Sequence, residues 1–562
     1  MQKDCKECGT SFEITKEDLD FYDNISPIIG SKKYQIPPPD NCPSCRQQRR
    51  LGFRNERRLF KRKCDLSGED IVSMYPPDAP FQVYSTDSWW SDAWDAKSYA
   101  LDVDLSLPFF EQLKELYLKI PRLQNVGSSD MKKMNSEYVN FAGWNRNCYL
   151  IFDSDYNEDC CYSNVIKHSK NCIDCSYVSK SQFCFGCVDC INSYELKDCQ
   201  RCSNCNTSLS LFNCNGCHDC AFCCNLTNKQ YCLWNEQLTK EEYQHQLSEL
   251  LSSGNSADLY SRFIEFTLQY PRKYCSILQA ENCSGDYISN AQRCRACFNV
   301  GDAQDLRYCD SVYSAKDCID VSSFGEQIEQ VSNCGTIGHG CFGIHFSYDC
   351  VTNCSGLLYC LQCHQTKNSF GCVGFRSGEY CILNKQYSKE EYEELVPKII
   401  EHMQSTDEWG EFFPIELSPF AYNETVAQEY FPMTKEEVAA KGWQWRKEKD
   451  DIPKVEKIIP ASKLPNSIDD IPDDVLNWAI ECEVTKRPFL VMKQELEFYR
   501  RFKIPIPHLH PDERHKRRMA LRNPRKLWQR KCDKCGQDIQ TTYSSDRPET
   551  VYCEECYLKE VY

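Results

Sequence analysis

The stretch Cys184-Phe-Gly-Cys187-Val-Asp-Cys190-Ile-Asn-Ser193-Tyr-Glu-Leu196-Lys-Asp-Cys199-Gln-Arg-Cys202-Ser-Asn-Cys205 decides the fold. It belongs to a run in which cysteine returns on a fixed beat. Cys160, Cys175, Cys190, Cys205 and Cys220 are spaced by 15, as are Cys172, Cys187, Cys202, Cys217 and Cys232. Asp174, Asp189, Asn204 and Asp219 keep the same beat. A short fixed period means stacked equivalent units. Fifteen residues are too few for a helix-turn-helix repeat but enough for one coil of a β-solenoid. The expectation is therefore about 15 residues per coil, with Cys172, Cys187, Cys202 and Cys217 in one column at the strand spacing of about 4.8 Å. In a straight strand, positions i and i+3 face opposite sides, so C-x2-C-x2-C requires bends between the cysteines. Cysteine is small and often buried, and the ladders read first as core filler. Extra metal sites are the alternative.

Outward from this run, the array recurs at an offset of 149, where Cys148, Cys160, Cys205 and Cys232 fall on Cys297, Cys309, Cys354 and Cys381. Both copies close alike, with Tyr231-Cys-Leu-Trp-Asn-Glu-Gln-Leu-Thr-Lys-Glu-Glu-Tyr243 against Tyr380-Cys-Ile-Leu-Asn-Lys-Gln-Tyr-Ser-Lys-Glu-Glu-Tyr392. Thr239-x2-Glu242 and Ser388-x2-Glu391 are capping boxes, so a helix should follow each stack and cover its last strand edge. The second copy lacks the strict beat, and its coils should be less regular.

The two chain ends also match each other. Cys5, Cys8, Cys42 and Cys45 form two CxxC pairs, and so do Cys532, Cys535, Cys553 and Cys556. Four thiolates satisfy a tetrahedral Zn²⁺ and leave no open position, so about two structural zinc ions are expected. Arg50–Cys64 aligns with Arg518–Cys532 at an offset of 468. Each end then reads as a two-finger module. The second N-terminal finger is degraded to Cys64, Ser67, Ser85 and Ser88, and the first C-terminal finger to Cys482, Thr485, His510 and Glu513. A finger that loses its metal must replace that binding energy by packing, for which Phe81, Tyr84, Trp89 and Trp90 are available.

Between the fingers lie basic segments, with a net charge of +8 over residues 46–63 and +10 over residues 500–531. The total is −16, so the remainder carries −34. Arg50, Arg54, Arg57 and Lys61 follow helical spacing. Arginine suits phosphate geometry, which marks Arg46, Arg49, Arg50, Arg54, Arg57, Arg58, Arg514, Arg517, Arg518, Arg522 and Arg525 as candidate contacts to RNA, DNA or a ribonucleoprotein. The same segments could instead dock on the chain's own acidic body.

No run is apolar enough to span a bilayer, and Met1-Gln-Lys-Asp-Cys5 does not begin a secretory signal. With 41 cysteines, this points to a cytoplasmic location with reduced thiols and metal ligands. No phosphate loop, dinucleotide fingerprint, nucleophile elbow or H-E-x-x-H occurs, and no catalytic residue is identified. Cys42-Pro-Ser-Cys-Arg-Gln-Gln-Arg-Arg50, Asn384-Lys-Gln-Tyr-Ser-Lys-Glu-Glu-Tyr392 and Tyr552-Cys-Glu-Glu-Cys-Tyr557 resemble motifs of large cysteine-rich zinc-ribbon proteins of candidate-phylum bacteria. That resemblance implies zinc and duplication. The CaiB/BaiF (CoA-transferase) label that some of them bear finds no support in these residues.

The resulting expectation is a mainly β chain with small α+β zinc modules. It divides into a two-finger module at 1–90, an aromatic connector at 91–129, solenoid repeats with exit helices at 130–270 and 271–403, a proline-punctuated connector at 404–475, and a second two-finger module at 476–562. Treble-clef or zinc-ribbon modules would thus flank tandem cysteine-laddered β-solenoids. The expected function is a non-enzymatic zinc-binding scaffold whose arginines contact nucleic acid. Docking of the basic ends on acidic protein surfaces and a metal-storage or thiol role for the ladders are the alternatives.

Overall fold

The computed structural model describes residues 1–127, 131–253, 256–447 and 453–561, so the expected 129/130 boundary lies outside the described residues. Two β-solenoids fill the middle of the chain, between two small modules at the ends. In the first solenoid the strands Asn164–Lys167, Ser176–Ser179 and Val188–Ile191 pair in parallel, with Ser176 opposite Val188. The coil therefore repeats from i to i+12, which corrects the expected period of 15. Every third residue is left-handed, as at Tyr162, Val165, His168, Asn171, Asp174, Tyr177 and Lys180, with φ between 50° and 56°. A coil is thus a four-sided turn with three residues per side, and its corners are the bends that C-x2-C-x2-C requires. The residue after each left-handed corner points inward. Cys172, Cys175, Val178 and Ser181 form one such buried layer, and Cys184, Cys187, Cys190 and Ser193 the next.

A step of 15 is one coil plus one side. Cys172, Cys187, Cys202 and Cys217 therefore lie on four successive sides, one coil further on each time, and form a diagonal band, which corrects the single column expected for them. The true columns are Cys160, Cys172 and Cys184; Cys175, Cys187 and Cys199; and Cys190, Cys202 and Cys214, each spaced by the ladder register of 12.

Inward turning takes the inner residue's N–H out of the coil-to-coil ladder, and a buried donor must be satisfied. The side chain one coil earlier does this. The N–H of Cys175 donates to Ser163 Oγ at 3.0 Å, that of Ser193 to Ser181 Oγ at 3.1 Å, and that of Leu211 to Cys199 Sγ at 3.4 Å. The same side chains donate to the carbonyl two residues back, as in Ser163 to Cys161 (2.9 Å) and Cys199 to Lys197 (3.3 Å). Cysteine and serine alternate at these positions because both can give and take one hydrogen bond in little space.

The second solenoid is less regular, as expected. Ile277 stands opposite Ile288, Phe298 opposite Asp310 and Glu329 opposite Phe342, so the step from coil to coil grows from i+11 through i+12 to i+13. Both stacks end in an antiparallel hairpin, Cys232 opposite Gln237 and Cys381 opposite Gln386, followed by the helices Lys240–Ser253 and Lys389–Ser405.

The helix before each solenoid packs on the far end of the other. Helix Phe109–Lys119 precedes the first solenoid yet sets Phe109 against Tyr359 and Phe370 of the second. Helix Ser256–Thr267 precedes the second and sets Phe263 against Phe222 of the first. Each helix leads into a Pro-Arg strand that pairs with a terminal module: Arg122 with Val83, and Arg272 with Val551. The N–H of Val126 then caps on Asn140 and that of Ser276 on Asp286. These contacts relate the two halves by a pseudo-twofold. Early in the solenoids Asn140 answers to Asp286 and Tyr162 to Tyr308, an offset one coil side short of the one that joins the two exits. The longer steps later in the second solenoid, as from Glu329 to Phe342 and from Phe342 to Ser355, make up the difference. No helix among the described residues is long and apolar enough to cross a membrane.

Candidate metal centres and the arginine interface

All four fingers start with one turn. Gly9 donates to the Cys5 carbonyl, Gly68 to Cys64 and Gly536 to Cys532, each at 2.9 Å, and Lys486 to Cys482 at 3.1 Å. The closing residue is left-handed in every case, with φ of 71°, 77°, 77° and 60°. Glycine serves this conformation without strain, and only the C-terminal degraded finger uses another residue.

In two fingers the knuckle is completed. The sulfurs of Cys5, Cys8, Cys42 and Cys45 lie within 4.8 Å of one another, and so do those of Cys532, Cys535, Cys553 and Cys556. Cys42 caps helix Pro43–Leu51, which carries Cys45, and its N–H donates to Cys5 Sγ at 3.2 Å. At the other end the N–H of Cys553 donates to Cys532 Sγ at 3.2 Å. A hydrogen bond from Cys45 draws the Cys42 thiol down to about 5. Burial pushes Cys532 up, but the N–H groups of Cys553 and Cys535 outweigh it and hold the thiol at about 6. Four converging sulfurs are what a soft metal ion needs, and each set has at least one that ionises readily. These eight cysteines are the expected ligands, and both sets could hold a metal ion.

In the N-terminal degraded finger, Cys64 Sγ takes N–H bonds from Ser67 and Ser85 at 3.4 and 3.2 Å and donates to Ser88 Oγ. Trp89, Tyr84 and Phe81 are buried beside it, so packing stands where the metal would. In the other, His510 caps helix Pro511–Ala520 through Nδ1. Among the described residues neither degraded finger gathers three metal-ligating groups.

The basic segments lie between the solenoids. Helix Pro43–Leu51 ends before Arg54, so Arg50, Arg54, Arg57 and Lys61 do not share one helical face. Instead Arg46 and Arg50, one turn apart, both meet Asp320 of the second solenoid, at 2.9 and 3.4 Å. Arg514 and Arg518 both meet Asp174 of the first, Arg518 at 2.7 Å. The likeness extends to detail. Arg50 Nε donates to Ser322 and Arg518 Nε to Ser176. Arg46 lies over the Tyr308 ring and Arg514 over Tyr162. Tyr308 donates to Asp18 and Tyr162 to Glu495. The Arg50 side chain is fully buried, and that of Asp320 is 3% exposed.

The arms beyond the helices tie in the remaining surfaces. Arg54 donates to Thr336 at 3.0 Å, lies over Phe141 at 3.8 Å and reaches Asp153, so it touches both solenoids. Arg522 does likewise, with Asp189 at 2.9 Å, Asn299 at 2.6 Å and the Tyr287 ring. Arg525 pairs with Asp310 at 2.6 Å. Arg57 and Arg58 join the N-terminal module to Asp512 of the C-terminal one, both at 3.3 Å. Burial alone would raise the Asp512 carboxyl, but Arg58 and Arg57 hold it well below the usual carboxylate range. Arg49 pairs with Glu411 at the rim, and Arg517 is exposed. Docking on the chain's own acidic body is the alternative reading of the sequence, but that reading singles out none of these aspartates. Their one sequence signal was the Asp174 and Asp189 beat, which marks left-handed corners where aspartate is tolerated.

No protein-family model matches the chain, and no curated protein matches it.

Proposed function

We propose that this chain is a non-enzymatic scaffold in which two zinc-stapled modules clamp two thiol-cored solenoids into one body, and in which the arginine-rich segments are internal clamps. The observation that carries this reading is the pairing of Arg46 and Arg50 with Asp320, and of Arg514 and Arg518 with Asp174, all buried. Freeing both arginines of a pair for phosphate would leave a buried aspartate uncompensated, at a cost of about 3–5 kcal/mol. With these cations inside, the field outside a chain of net charge −16 repels polyanions. Partners would then be proteins, not RNA or DNA. The thiol columns suit packing better than metal storage, because Cys160, Cys172, Cys175 and Cys187 each donate to backbone carbonyls. Free thiols throughout fit a reducing, cytoplasmic compartment.

The test joins metal analysis to gel-shift titration with RNA and DNA at about 50 mM salt, where phosphate contacts are favoured. The expected result is about two zinc ions per chain, the number that fits two four-cysteine sites, and no shift. Salt-sensitive binding that Arg50→Glu and Arg518→Glu both weaken without unfolding would overturn the clamp reading.

A further inference from the structure

Outside the metal sets, one cysteine is open to solvent among the described residues. Cys283 is half-buried, whereas every other non-ligand cysteine is buried. It opens into a cleft of about 470 Å³ between the first coil of the second solenoid and the C-terminal finger, lined also by Tyr274, Cys275, Ile539, Gln540 and Cys553. Cys283 stands one coil above Cys294, since Ile277 pairs with Ile288 and Glu281 with Gln292. The N–H of Cys294 donates to Cys283 Sγ at 3.4 Å, and Cys283 Sγ donates to the Glu281 carbonyl at 3.3 Å. Neighbouring coils lie about 4.8 Å apart, within the Cα span that a disulfide bridges. The fold does not need a thiol here. At the mouth of the first solenoid Ser136 Oγ takes the N–H of Cys148 at 2.9 Å and does the same work.

We propose that Cys283 and Cys294 form a hydroperoxide-sensitive dithiol at the mouth of the second solenoid. The Cys283 sulfur attacks the peroxide oxygen as its thiol proton passes to the departing oxygen. An S–O bond forms, the O–O bond breaks, and the alcohol or water leaves with the proton, giving a sulfenic acid. The Cys294 sulfur then attacks Cys283. The S–S bond forms, the S–O bond breaks, and the oxygen departs as water with the Cys294 proton. Two thiols and one hydroperoxide thus give a disulfide, an alcohol or water, and a water. A dithiol reductant reverses the change. Cys294 is fully buried whereas Cys283 is open to solvent, which sets the order of the two steps.

The full-length, zinc-loaded protein is treated with hydrogen peroxide, quenched with iodoacetamide and mapped by peptide mass spectrometry, with zinc release followed in parallel by a chromogenic chelator. The expected product is a Cys283–Cys294 cross-link that forms before zinc is released. In Cys294→Ser, dimedone should trap a sulfenic acid on Cys283. In Cys283→Ser, which keeps the hydrogen bond that Ser136 makes in the other solenoid, neither product should form. Zinc loss with Cys283 still reduced would overturn the proposal, as would oxidation of Cys283 in the wild-type chain without linkage to Cys294, or linkage to Cys275 instead.

Discussion

Asp174 and Asp320 each hold two arginines in the dry space between a helix and a solenoid. Truncating Asp320 takes the shared carboxylate from Arg46 and Arg50, and truncating Asp174 takes it from Arg514 and Arg518, leaving Arg514 only Glu495 at 3.7 Å. Asp174→Ala and Asp320→Ala should each cost about 3–5 kcal/mol, read as a shift in denaturation midpoint. The loss should be smaller at Asp174, because Arg514 keeps Glu495 at 3.7 Å. Acid should act through other residues. His345 is buried with Nδ1 2.7 Å from Ser332 Oγ, and burial lowers it from 6.5 to about 3. His364, buried at the rings of Trp89 and Trp90, is lowered from 6.5 to about 4. Both pKa values are depressed in the folded chain, so the unfolded chain takes up protons first. Their contribution is intact above about 6.5 and is lost as pH falls toward the folded values. Between about pH 7 and about pH 5 each should remove about 2 kcal/mol. His345→Gln should flatten the pH dependence of the melting temperature in that range; an unchanged slope would contradict this account.

At the scale of one coil, the sequence periodicity was legible and its length was not. Cysteines sit at C-x2-C-x2-C because each side of the coil has three residues. That triplet makes steps of 12 and 15 equally regular in one dimension. Only the strand register, Ser176 opposite Val188, separates them. The same triplet slipped the comparison of the two solenoids by one side. Inner cysteines also do more than fill space, since several close a hydrogen bond for the next coil. At Cys199 the partner is the N–H of Leu211. Cys199→Ala should strand that donor and cost about 1–3 kcal/mol. Cys199→Ser keeps the bond and should cost less, as checked by paired urea titrations. A serine variant as unstable as the alanine variant would mean that volume alone matters at these positions.

On the scale of the whole molecule, each terminal module pairs one strand with the start of a solenoid and lays its basic helix on the other. The N-terminal module meets Arg122 and Asp320, and the C-terminal one meets Arg272 and Asp174. The cysteine sets Cys5–Cys45 and Cys532–Cys556, which could each hold a metal ion, belong to these modules, and buried arginine–aspartate pairs tie the modules to the solenoids. Chelation should expose the finger amides near both chain ends to hydrogen exchange while the solenoid amides stay protected, because local opening follows local contacts. Simultaneous loss of protection in residues 160–230 would show that the fingers hold up the whole fold. Arg50→Glu and Arg518→Glu should lower the melting temperature to similar extents, since each places a carboxylate against a buried aspartate.

Sequence by itself determined the units: two CxxC pairs at each of the intact fingers, two degraded copies, a duplicated cysteine array and its capped exit helices. Each rests on local chemistry, namely ligand spacing, periodicity and capping, which neighbouring residues carry unaided. Only the tertiary structure decided where the arginines go. Arg50 and Asp320 lie 270 positions apart, and no local pattern links them. The same basic segment could face solvent and phosphate or its own acidic body. The pseudo-twofold packing chose the second, because a solenoid corner at Asp320 or Asp174 offers a carboxylate where the helix face arrives.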